Sequence, residues 1–188
     1  MKLSGIVLTA IALAVVPSVL AADSIAWGAP VNGLRLGAAF GSDPSKPTIR
    51  VVFQNVSGQD QDVLLGYQNG RDPAYDLKFI AKARGGKLRE GVELAAYYPV
   101  KGLVQPVSVV LSSVRNYELV FPLKNILFLI PRRIEGRRDL TDTLETLLKR
   151  GYSVQVFFEA DKGEPPMGGT LPHHWVGKLE SAEMSPAR

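Results

Sequence analysis

The sequence predicts a mainly β protein, an antiparallel β-sandwich of seven to nine strands with one short amphipathic helix. Three observations predict it. Apolar residues recur with period two in successive runs, turn chemistry separates those runs, and a single stretch switches to the helical period.

Leu34, Leu36, Ala38 and Phe40 form the first alternating set, with Arg35, Gly37 and Ala39 on the other parity. Ile49, Val51 and Phe53 form the second, and Val63–Tyr67 supplies a third strand. Tyr75, Leu77, Phe79 and Ala81 share one parity, as do Val107, Val109 and Leu111. Tyr117, Leu119, Phe121 and Leu123 follow, then Val154, Val156 and Phe158, with a last strand expected over His174–Ala182. In a strand this spacing sends one set to a core and the other toward water. Asp43-Pro44-Ser45, Ser57-Gly58-Gln59-Asp60, Asn69-Gly70, Asp72-Pro73 and Gly85-Gly86 supply the turns. Asn125 to Pro131 is apolar but only one strand long. The helix is expected over about 139–150, where Leu140, Leu144, Leu147 and Leu148 share a face. Asp139 and Asp142 suit its start, Lys149 and Arg150 its negative end, and Gly151 its left-handed stop.

The chain has 188 residues, of which 46% are hydrophobic and 21% charged, an ordinary globular balance. It contains no cysteine, which excludes a disulfide scaffold, a thiol nucleophile, thiolate-ligated metal and a lipid-modified cysteine. With two histidines, a three-histidine metal site is impossible. The N-terminus reads as a signal peptide: Lys2, an uncharged apolar run over Ile6–Val16, a break at Pro17-Ser18, and small residues before a cut after Ala21 or Ala22. The apolar run is shorter than the roughly 20 residues of a spanning helix. The expected organisation is therefore a signal peptide over 1–21, one β-sandwich domain over 22–182 and a frayed tail over 183–188. The mature chain is expected outside the cytoplasm, periplasmic or secreted, without a transmembrane segment. Lys2 is the one charge in the leader, so its removal lowers the formal net charge of +4 by one. That excess is too small to argue for a nucleic-acid partner.

Trp27-Gly28, Gly33-Leu34-Arg35-Leu36, Phe53-Gln54-Asn55-Val56-Ser57 and Trp175-x-Gly177-x-x-x-Ser181 together form a recognisable pattern. On these positions the chain resembles small exported bacterial domains with an immunoglobulin-like β-sandwich and no established activity. The resemblance implies fold and compartment and brings no catalytic residues or cofactor. The 139–150 helix is not part of a generic sandwich of that kind.

Chemistry has few places to reside. Arg132, Arg133, Arg137 and Arg138 put four guanidinium groups in seven residues, suited to a carboxylate, a phosphate or an anionic headgroup. The plainer account is a solvated loop paired with Glu135, Asp139 or Asp142. Tyr97, Tyr98 and Tyr67 offer rings for a sugar or protein partner, against edge packing as the plainer account. His173 and His174, with Glu159, Asp161 and Glu164 nearby, are weak metal candidates, because adjacent strand residues face opposite ways. No nucleophile elbow, His-Glu-x-x-His or phosphate-binding glycine loop occurs. The expected function is a non-enzymatic binding or structural accessory domain of the bacterial cell envelope, partnered by an envelope protein or an anionic surface. The alternatives are a metal-binding protein or metal-dependent enzyme using His173 or His174, and a peripheral binder of anionic membrane through Arg132–Arg138.

Overall fold

A computed structural model describes residues 24–69, 72–93, 105–129, 141–160 and 174–186. The leader, Tyr97, Tyr98, the four arginines of 132–138 and His173 lie outside the described residues. Among the described residues, no helix is long and apolar enough to cross a membrane.

The chain is mainly β, and every strand pairing is antiparallel. A four-stranded sheet has the order β1-β2-β3-β9, built from Ala26–Trp27, Leu34–Phe40, Thr48–Asn55 and Asn116–Pro122. A six-stranded sheet has the order β11-β10-β7-β6-β12-β13, built from Thr141–Thr143, Ile126–Leu129, Leu88–Glu93, Leu77–Lys82, Ser153–Ala160 and Gly177–Glu180. A three-stranded sheet has the order β5-β4-β8, built from Asp72–Tyr75, Gln61–Asn69 and Gln105–Leu111.

The first two sheets face each other. Leu36, Ala38, Ile49, Val51, Phe53, Leu119 and Phe121 from one meet Phe79, Ala81, Val154, Val156, Phe158 and Leu179 from the other. Most period-two residues are thus buried on the parity expected of them, while Phe40, Tyr75, Val107, Val109 and Tyr117 are partly buried against the core and Ala39 and Val52 are buried on the other parity. Aromatic edges lock the layers: Phe53 meets Phe158 at 5.0 Å and Phe79 meets Phe121 at 6.0 Å, both near perpendicular. The three-stranded sheet joins the six-stranded one through Asp76 N donating to Leu65 O (2.9 Å) and Trp175 N donating to Asp62 O (2.6 Å).

Thirteen strands occur among the described residues, more than seven to nine. The excess has three physical sources. Two- and three-residue strands such as β1 and β11 are too short to show a period. The run through Tyr75–Ala81 divides at Asp76, because β5 pairs with β4 while β6 pairs with β7 and β12. Asp72-Pro73, expected as a turn, therefore lies inside β5. The third source is β7, whose Leu-Arg-Glu-Gly-Val-Glu sequence hides a central strand. Gly91 leaves room for the Phe128 ring opposite it, where an added Cβ would lie 2.6 Å from the ring. Arg89 is admitted because Asp142 neutralises it.

The helix is shorter than expected. α1 spans Leu144–Lys149, and residues 141–143 pair with β10 instead of opening the helix. Thr143, not Asp139 or Asp142, is its N-cap, with the Thr143 hydroxyl accepting from Thr146 N at 3.2 Å. Leu144, Leu147 and Leu148 are buried as their spacing requires, and Gly151 has φ +81° at the stop. Asp142 serves a different purpose: its Oδ2 accepts from Arg89 Nη1 at 2.6 Å and Arg150 Nη1 at 3.2 Å. Both Arg89 and Asp142 side chains are 13% exposed. Asp142→Ala should therefore cost about 2–3 kcal/mol, since it leaves a nearly buried guanidinium unpaired. Urea unfolding at low and high salt measures this, and the loss should persist at high salt, unlike that of an exposed pair.

The last strand is β13, shorter than His174–Ala182. Residues 174–176 leave its register because Trp175 bonds to the three-stranded sheet. At its other end Ser181 ends the strand, its hydroxyl accepting from Val156 N at 3.0 Å. Beyond it the chain does not fray at once. Met184 is buried and exchanges two 2.8 Å backbone bonds with Val154. Glu183 accepts from Ser153 Oγ at 2.5 Å and pairs with Lys82 at 3.3 Å. The Ser153 hydroxyl, aided by Lys82, holds the Glu183 carboxyl below the usual glutamate range. A lowered folded pKa stabilises at pH above the unfolded value of 4.5, and that contribution disappears as pH falls through the lower folded value. Below pH 4.5 the melting temperature should thus fall slightly more steeply for the wild type than for Glu183→Gln. The difference is small because the pair is half exposed.

Candidate functional site

The pattern that carries the family resemblance lies at structural joints. An added Cβ on Gly28 would collide with the carbonyl of Glu180, so glycine lets the chain entering β2 pass against β13. Gly33 has φ +83° and abuts Ser57. Trp27 carries the Arg35 guanidinium 4.3 Å above its ring. Trp175 stacks on Phe158 at 6.0 Å and donates its indole N–H to Asn32 O at 3.2 Å. Gly177 makes room for that indole, with an added Cβ only 2.7 Å from it.

Asn55 is fully buried and makes four bonds. Its amide donates to Gln59 O (2.6 Å) and Leu111 O (2.7 Å), while its carbonyl oxygen accepts from Ser57 N (2.9 Å) and Ser57 Oγ (2.8 Å). It fixes the β3–β4 connection to the end of β8. The glycines, both tryptophans and Asn55 pack or bond within the fold, so these positions mark the frame of the molecule.

Among the described residues, a concavity of about 1310 Å³ runs over the outer face of the six-stranded sheet. The register produces it. Opposite the core-facing residues of β6, β7 and β12 stand Ile80, Leu88, Gln155 and Phe157. Leu88, the first residue of β7 beside the 83–87 turn, is 61% exposed, an unusual condition for a leucine in a strand. Ile80 and Phe157 are half-buried and form the rest of the apolar floor. Tyr67 and Tyr75 wall one end, from the three-stranded sheet.

Ion pairs rim the floor: Lys78 to Glu90 at 3.4 Å, Lys178 to Glu159 at 2.6 Å and Lys82 to Glu183 at 3.3 Å. Each cation has a carboxylate beside it, so the rim has no strong field of either sign. The volume exceeds the roughly 300–1,000 Å³ of small-molecule pockets. The groove is a broad face with an apolar floor, and its geometry suits contact better than enclosure.

Of the residues picked out in the sequence, Tyr67 and Glu159 border this groove. The four arginines of 132–138, Tyr97, Tyr98 and His173 lie outside the described residues. His174 is half-buried, immediately before Trp175. Among the described residues, no three of His, Asp and Glu lie together in a way that would hold a metal ion. Sequence reasoning missed Leu88 and Phe157. Leu88 belongs to a strand it did not see, and Phe157 lies on the parity opposite the core set of β12. An apolar residue on the polar parity was the available signal.

No protein-family model matches this chain, and neither the curated proteins nor the solved structures include a significant match.

Proposed function

We propose that this protein is a non-enzymatic binding or structural accessory domain, exported across a membrane and acting in the cell envelope. The export reading rests on the Met1–Ala22 pattern. The binding reading rests on one observation: Leu88, Ile80 and Phe157 form an apolar floor on the solvent face of the six-stranded sheet, inside a rim of paired charges. An apolar centre within a polar rim is the anatomy of a docking surface. A rigid sandwich presents such a face at little cost in stability, because the floor residues are not needed by the core.

The test is crosslinking of the tagged protein in its native cells, comparing wild type with Leu88→Ser/Phe157→Ser and with a variant in which Arg132, Arg133, Arg137 and Arg138 become serine. A partner retained by wild type and lost in the first variant, with the melting temperature little changed, supports the groove. A partner lost only in the second variant moves recognition to the arginine segment. No partner in any form overturns the binding reading.

A further inference from the structure

The connection from β1 to β2 ends in a tight turn that carries a reactive pair. Val31 and Leu34 exchange two backbone bonds, Val31 N donating to Leu34 O at 2.7 Å and Leu34 N to Val31 O at 3.0 Å. Between them Asn32 has φ +47° and Gly33 has φ +83°, the two left-handed residues of a two-residue hairpin turn. Of the five asparagines in the chain, Asn32 and Asn69 precede glycine, and Gly70 lies outside the described residues. Asn55, Asn116 and Asn125 precede valine, tyrosine and isoleucine, whose side chains crowd their own backbone nitrogens.

An asparagine before glycine can react with water. The glycine nitrogen has no side chain to shield it, so it can approach closely, lose its proton and attack the asparagine Cγ. A five-membered cyclic imide forms as the amide C–N bond breaks and ammonia leaves. Water then adds to either imide carbonyl, and the ring opens to aspartate or to isoaspartate, in which the main chain runs through the former side-chain carbon. One water is consumed and one ammonia released, with no oxidant or cofactor. Asn32 is exposed, so water reaches it. The Gly33 nitrogen donates to no group among the described residues.

Two bonds restrain the reaction. Asn32 Nδ2 donates to Val176 O at 3.0 Å, and Asn32 O accepts the Trp175 indole N–H at 3.2 Å. Together they commit the carboxamide and the turn to the 175–176 segment. We propose that Asn32 is a self-modifying site, converted by the Gly33 nitrogen and water to aspartate and isoaspartate at a rate set by the Trp175–Val176 clamp. The product undoes that clamp. A carboxylate at 32 has no hydrogen to give Val176 O and sets lone pairs against it. Isoaspartate also lengthens the main chain between Val31 and Leu34 by one carbon, so their two reciprocal bonds lose their register. The joint that loosens is the one at which Trp175 ties this turn to the three-stranded sheet, through its backbone N donating to Asp62 O at 2.6 Å.

The test ages the full chain at neutral and at mildly alkaline pH, at a temperature where it stays folded. Digestion, chromatography and mass spectrometry then separate the aspartate and isoaspartate peptides. Both products should appear at 32, at least tenfold more than at 55, 116 or 125, and faster at the higher pH because the attacking nitrogen must lose its proton. Trp175→Phe keeps a ring against Phe158 and lacks the indole N–H, so it should raise the rate at 32 at least threefold and leave the rate at 69 unchanged. The modified fraction and Asn32→Asp should both melt below fresh wild type. Aspartate without isoaspartate would mean direct hydrolysis of the amide, and no product at 32 would mean that Gly33 never reaches Cγ; either overturns the site. A Trp175→Phe rate unchanged at 32, or raised alike at 32 and 69, overturns the clamp, and an unchanged melting temperature overturns the loosening. Leu88 and Phe157 take no part in the reaction, so failure here and failure of the groove are read separately.

Discussion

Phe158→Ala should cost about 3–5 kcal/mol, the range for a large aromatic removed from a tight core. Phe158 is 1% exposed and stands where three elements meet. Its ring takes the edge of Phe53 from the facing sheet at 5.0 Å and stacks on Trp175 at 6.0 Å. Leu179 lies directly opposite on β13. Removing the ring opens a cavity that neither sheet can close, because each neighbour is held by its own strand. It also frees Trp175, whose backbone and indole N–H tie the three-stranded sheet and the β1–β2 turn to the rest. The loss is a large share of the 5–15 kcal/mol by which domains of this size are stable. Chemical denaturation measures it. Phe158→Leu, which keeps most of the volume, should recover more than half. Equal losses for the two variants would show that the ring stacking, not the filled volume, dominates.

Asn55→Asp should be worse than Asn55→Ala, although it changes a single group. The Asn55 amide donates to two carbonyls, and aspartate would turn an acceptor oxygen toward both of them. The alanine variant should lose about 2 kcal/mol through unsatisfied partners, and the aspartate variant about 3 kcal/mol or more, since it buries a charge against lone pairs. The sign with pH checks the cause. Burial and facing acceptors raise the carboxyl's folded pKa, so the penalty is relieved as pH falls toward the ordinary aspartate value of about 4 and grows as pH rises through the folded value. Relative to Asn55→Ala, the aspartate variant should therefore gain stability on acidification. A gap that does not depend on pH would mean the amide bonds matter less than the space Asn55 fills.

Much of the frame was legible because it depends on local repetition. The bounds of β2 fall at Leu34 and Phe40, where the alternation begins and ends, and the inward parity of β3, β6, β9 and β12 follows the same rule. Leu144, Leu147 and Leu148 lie on the buried face of a helix, as their spacing requires. The strand β7 was illegible because its two anomalies are settled by distant residues, Arg89 by Asp142 and Gly91 by Phe128. The division at Asp76 was hidden too, since unbroken alternation does not reveal a change of partner sheet.

The sequence by itself determined the class: antiparallel β with one short helix, no cysteine chemistry, and an apolar N-terminal run. These follow from composition and from periods of a few residues. Tertiary structure alone decided what faces water together. Leu88 and Phe157 lie 69 positions apart and share a groove because β6 stands between their strands. Strand pairing sets such neighbours, and pairing depends on which sheets can bury their faces against each other, a property of the whole chain that no local window carries.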